Sequence, residues 1–216
     1  STGGAINIAS TINGGFNLNA NSASALTIAN AIGNVTPLNN ITLAGSTITL
    51  NGGSVSTTGN QSYSGPVTLG TDTTFSSTGA GGNVSIAINN GINGKRNVIL
   101  TGSAINNNSF TIAGALDVND VTINGNGGVS TLQVNTGGTQ QWNITGNDIG
   151  NIINTAGING NFSYNAIANL TGGSGNDSFT FDAGTLSGNI NGAGGNNTLT
   201  ADSAVTNNIW SLSGTN

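Results

Sequence analysis

The 216-residue chain carries only 4% charged residues, two basic against seven acidic, and has no Cys, His or Met. A net charge of −5 with so few cations excludes phosphate-neutralising nucleic-acid binding and disfavours anionic membrane surfaces. Without His, Cys or Glu the usual general bases and activated nucleophiles are missing, which argues against an enzyme.

Short apolar/polar alternations begin at once and continue along the chain. They run through Ala5–Ile8, Phe16–Leu18, Ala25–Ile28, Ile41–Leu43, Thr47–Leu50, Val67–Leu69, Thr74–Phe75, Val84–Ile86, Val98–Leu100, Phe110–Ile112 and Val121–Ile123. One apolar face over three to five residues is the pattern of a half-buried strand. Asn-Gly, Gly-Gly and Ser-Thr clusters between the runs supply turn conformations. Helical spacing is nowhere sustained, and no apolar run approaches the ~20 residues of a transmembrane helix. Pro37 and Pro66 fall at strand starts, where a missing N–H is tolerated. The chain opens at Ser1 without Met, which predicts a processed or excised N-terminus.

In the C-terminal half apolar anchors recur at Ile123, Ile144, Phe162 or Tyr164, Phe181 and Leu199. Such spacing suits one coil of a right-handed parallel β-helix, and at ~4.8 Å per coil about eleven coils would make a rod. A longer repeat overlies it. Ile123-Asn124-Gly125-Asn126-Gly127-Gly128 with Thr131-Leu132 returns as Ile190-Asn191-Gly192-Ala193-Gly194-Gly195 with Thr198-Leu199, and Trp142 returns as Trp210. The expectation is one continuous rod over residues 1–216, all-β, with a change of texture near residue 120 and repeat units at 123–189 and 190–216. Stacked antiparallel β domains are the alternative. An array cut at its last coil would expose unpaired strand edges with few charged gatekeepers, which predicts end-to-end self-association.

The segment Thr57–Gly70 with Asp72–Phe75, and the later run Ile167–Phe179, resemble repeat units of filamentous-haemagglutinin-like bacterial surface adhesins. The resemblance implies a secreted, rod-shaped β-helix at the bacterial cell surface, exported by two-partner secretion or as an autotransporter passenger. The expected function is a structural or adhesive segment of an extracellular fibre. A glycan- or ice-binding module is the alternative, and a polysaccharide-degrading enzyme a more distant one.

Few residues could carry chemistry. Gly172-Gly173-Ser174-Gly175-Asn176-Asp177-Ser178-Phe179-Thr180 fits the calcium nonapeptide pattern, which makes Asp177 the metal candidate. Asn197 stands where a second carboxylate would be needed, so weak calcium binding is the most this predicts. Trp142 and Trp210 are candidates for stacking on sugar rings, although equivalent repeat positions also suit interior fillers. Asp117/Asp120 and Asp177/Asp182 read as solvated turn carboxylates rather than catalytic pairs, and Lys95 and Arg96 as a coil corner in water. Thr47/Thr49 and Thr71/Thr73 invite an ice-binding reading that needs a regular ladder, and no such register is visible in the sequence.

Overall fold

Alternation with period two decides how the chain winds. A computed structural model describes residues 3–79, 82–153 and 158–201. Its runs form strands whose apolar side chains all point one way. Val55, Phe75, Leu100, Ile123 and Tyr164 stack in register on successive strands, every one of them buried. Each such side chain contributes about 1.5–3 kcal/mol by leaving water, and no strand of this length could bury its own alone. The result is a parallel β-solenoid of about eight turns, without helix among the described residues.

The strands form three faces, of five, eight and nine strands. The chain passes from the five-stranded face to the nine-stranded one and then to the eight-stranded one. Thr47–Leu50, Ser54–Thr57 and Gln61–Ser64 make one such circuit. Among the described residues every strand pairing is parallel except the two made by Ile149–Ile153. Stacked antiparallel domains are therefore not the architecture.

Turn length departs from the sequence expectation. On the eight-stranded face Leu18 pairs with Ile41, then Gln61, Ile86, Phe110, Leu132, Leu170 and Ile190 follow, so successive turns take 23, 20, 25, 24, 22, 38 and 20 residues. The 38-residue turn holds an antiparallel excursion. Gln141–Gly146 runs parallel to Ser178–Phe181, Ile149–Ile153 doubles back beside it, and Phe162–Asn165 then rejoins Val121–Asn124. The step from Ile123 to Ile144 is therefore a hairpin strand of coil-like length rather than a coil. This hairpin and the longer regular turns together give fewer turns than the sequence spacing predicts.

The 67-residue repeat also has a different meaning. Ile123-Asn124 ends a strand of the nine-stranded face and leads to the eight-stranded one, whereas Ile190-Asn191 lies on the eight-stranded face and leads to the nine-stranded one. The repeated motif encodes a Gly-rich corner, not a position around the coil. Corners stack so tightly that a side chain on Gly65 would run into the carbonyl of Gly45 one turn away.

Candidate functional site

Polar chemistry is concentrated at the corners. Asp177 is 1% exposed; its Oδ1 accepts the Gln140 N–H at 2.9 Å and its Oδ2 the Gly173 N–H at 2.8 Å. One turn on, Asn197 Oδ1 accepts the Asp177 N–H at 2.8 Å, and its Nδ2 donates to Gly194 O at 2.9 Å. Gln140, Asp177 and Asn197 each stand just before a strand of the nine-stranded face, and those strands are neighbours. They form a ladder in which the Asp177 and Asn197 side-chain oxygens each cap the amide of the turn before. The Gln140 Oε1 at its head is buried without a partner among the described residues. Asn108 does similar work at the next corner: its Oδ1 accepts the Ser103 N–H at 2.8 Å and its Nδ2 donates to Ser130 Oγ at 3.1 Å.

The donor chemistry of this corner speaks against a calcium site. Both carboxylate oxygens of Asp177 face amide hydrogens, and the corresponding oxygen of Asn197 is likewise engaged. Among the described residues no group of three acidic, His or Cys side chains comes together. The residues present do not fit a calcium ion; Asp177 closes the Gly172–Gly173 turn by itself.

Three other acids, at exposed or partly exposed positions, also staple one turn to another. Asp72 accepts from the Asn97 N–H and Nδ2, Asp120 from the Asn161 N–H, and Asp148 from the Ser187 N–H and hydroxyl. Each sequence-adjacent acid pair is split: Asp120 and Asp177 are engaged, while Asp117 and Asp182 are exposed. Asp202 lies outside the described residues. Lys95 takes a left-handed backbone (φ 53°) at an exposed corner beside Arg96, as the Asn-Gly turn signal suggested.

Trp142 is not on the surface. It is fully buried, stacked on Phe179 with ring centroids 5.4 Å apart and tilted against Tyr164 at 6.1 Å. Its faces are closed to a sugar ring, which corrects the stacking assignment: the alternating pattern turned this strand position inward. Trp210 lies outside the described residues. Burial raises the pKa of the Tyr63 hydroxyl, and for Tyr164 burial is joined by the negative charge of Asp148.

The outer faces are ladders of small neutral side chains. On the nine-stranded face Ser54, Thr74, Ile99, Thr122, Ser163, Asn151, Asn143, Thr180 and Thr200 line up strand by strand. On the five-stranded face Thr27, Thr49 and Thr68 stack between Asn7 and Asn93. That Thr column is one residue wide, for Thr47 pairs with Ala25, and Thr73 is buried. A second regular feature is a ladder of Asn side chains at the turns. An Asn stands at or just before successive strand starts on the eight-stranded face: Asn40, Asn60, Asn83 and Asn107. These residues line an open groove along the corner with the nine-stranded face. No family model matches the chain, and neither does any curated protein or solved structure.

Proposed function

We propose that this chain is a structural and adhesive segment of a large extracellular bacterial fibre, a rigid spacer with little or no chemistry of its own. The observation that carries this reading is the pairing of an aliphatic and aromatic interior with outer ladders of Ser, Thr and Asn in strand register. Stability in such a stack comes from nearest-neighbour turns, so length can be added without redesign. The first turn supports continuation. Among the described residues Ile6–Ile8 pairs on one side only, with Ala25–Ile28, and Ile6, Ile8, Ile12 and Leu18 are partly exposed at that end. A further turn of a longer chain or a second copy would cover them, and either arrangement gives a continuous fibre. No cation lies on these outer ladders to repel a neighbour.

Small-angle scattering over a concentration series tests this. Axial growth at constant cross-section is the expected result. A chain that stays monomeric to millimolar concentration, or that grows in cross-section, would overturn end-to-end association. Turnover of a polysaccharide would overturn the non-enzymatic reading.

A further inference from the structure

We infer that the groove between the eight- and nine-stranded faces is a binding site for an extended, uncharged polysaccharide lying parallel to the solenoid axis. This goes beyond the spacer reading, since a spacer needs no groove.

The groove is continuous. Two cavities of about 480 and 420 Å³ share Asn60, Asn83 and Val84. Together they reach from Asn40 to Asn169, across six neighbouring strands of the eight-stranded face. At ~4.8 Å per strand that is a trough of about 24 Å, long enough for several sugar units laid end to end.

Its lining is chemically uniform. Asn, Ser and Thr supply the polar groups, and neither Lys95, Arg96 nor any acid is among them. A charged glycan would find no counter-charge there. A neutral one would meet hydroxyls and amides able both to donate and to accept. Val129, 53% exposed, offers methyl groups to the C–H face of a ring.

Two of the donors, on Asn60 and Asn107, are held in place before any ligand arrives. Asn60 Oδ1 accepts the Ser85 N–H at 2.8 Å, and Asn107 Oδ1 accepts the Val129 N–H at 2.7 Å. Each bond fixes its side chain and leaves the NH₂ group of the same amide without a partner among the described residues. The Asn83 amide and the Ser85 and Ser109 hydroxyls bond to no other described side chain or backbone group either. Pre-organised polar groups lose little entropy on binding, and their repetition turn after turn lets weak contacts act together on a polymer. The absence of aromatic platforms from the lining sets the expected affinity low for a single sugar and useful only for a chain.

The test is affinity electrophoresis of the whole chain through gels containing dextran, hydroxyethyl cellulose or galactomannan, with alginate as the anionic comparison. Retardation by at least one neutral polymer and none by alginate is expected. The Asn83→Ala/Ser85→Ala/Ser109→Ala variant removes only side-chain groups that make no bond within the described fold. It should bind at least tenfold more weakly with an unchanged melting temperature. Ser109→Trp, which fills the trough and removes no intramolecular hydrogen bond, should do the same. Thr27→Ala/Thr49→Ala on the five-stranded face should bind as the parent does. Lack of retardation by every neutral polymer, equal retardation of the trough variants, or preference for alginate would overturn the site. None of these results would touch the spacer reading, which is tested separately by axial growth in solution.

Discussion

From Asn40 to Val134 each turn adds one strand to the eight-stranded face and one to the nine-stranded face. In the single turn between Thr131–Asn135 and Asn169–Thr171, the nine-stranded face gains three strands while the eight-stranded face gains one. The regular region is filled largely by Ile, Leu and Val, with Tyr63, Phe75 and Phe110 among them. The irregular one is filled by Trp142, Tyr164, Phe162 and Phe179. Larger side chains sit where the wall has been let out. Gly150 completes the fit: Tyr164 lies against it, and the Tyr164 hydroxyl donates to Asn143 O two strands away at 3.3 Å. The contrast teaches that a solenoid can take up an antiparallel pair on one face if the interior beneath is rebuilt with rings.

The comparison breaks most sharply at Trp142. Trp142→Ala should cost about 3–5 kcal/mol, the usual range for emptying a buried aromatic site. Because turns support only their neighbours, the damage should be local. Hydrogen exchange should quicken in Gln141–Gly146, Ile149–Ile153 and Phe162–Asn165, and stay slow in Ala25–Ile28 and Thr47–Leu50. Equal loss of protection along the whole chain would show that the two regions fold as one cooperative unit.

Next in size is the corner that follows the hairpin. Asp177→Ala leaves the Gln140 and Gly173 amides without their acceptors, which should cost about 1–3 kcal/mol. Asp177→Asn keeps one acceptor and should cost less, as Asn197 does the same work one turn on. Millimolar calcium should leave the melting temperature of the parent unchanged. A calcium-dependent rise that disappears in Asp177→Asn would restore the metal assignment.

Alkali probes both regions at once. Tyr63 belongs to the regular stack and Tyr164 to the rebuilt one, and both hydroxyls have raised pKa values in the fold. A raised folded value keeps the proton on in the native state after the unfolded chain has lost it. Stability should therefore be level below about pH 10 and fall above it by ~1.4 kcal/mol per pH unit for each tyrosine. Tyr63→Phe and Tyr164→Phe should each halve the slope in denaturant melts. A flat profile to pH 12 would mean that neither ring is sealed from water.

Strand existence was legible in the sequence because alternation directly reports which face is buried, and the parallel winding because apolar runs recurred at coil-like spacing. Val55, Phe75, Leu100 and Ile123 stack as their pattern implies. The hairpin was not legible. Gln141–Gly146 alternates like any coil strand, and its distance from Val121–Asn124 nearly matches one turn. Only the pairing partner distinguishes them, and pairing is non-local. Asp177 illustrates the same limit on the site. Its Gly-rich surroundings are shared by an ion-binding loop and by a turn closed through amides, and the difference is where two N–H groups point. The Asn ahead of run after run pointed to ladders along the turns, but whether a ladder borders a groove depends on how neighbouring corners are shaped, which the sequence does not state.

The finest distinction concerns what Trp142 contributes as a ring and what it contributes as an indole. Its Nε1–H is buried without a hydrogen-bond partner, so the indole nitrogen already carries a desolvation cost in the native state. Trp142→Phe removes that nitrogen while keeping a ring to stack on Phe179, whose plane lies 21° from that of the indole. The lost volume and the relief of an unpaired donor act in opposite directions. The net change should stay below about 1.5 kcal/mol, well short of the loss for Trp142→Ala. Exchange in Ile149–Ile153 should remain close to that of the parent. If Trp142→Phe instead proved as damaging as Trp142→Ala, shape alone would not explain the site, and the indole N–H would have to be engaged in solution. The rebuilt region would then depend on a polar contact that the regular stack does without.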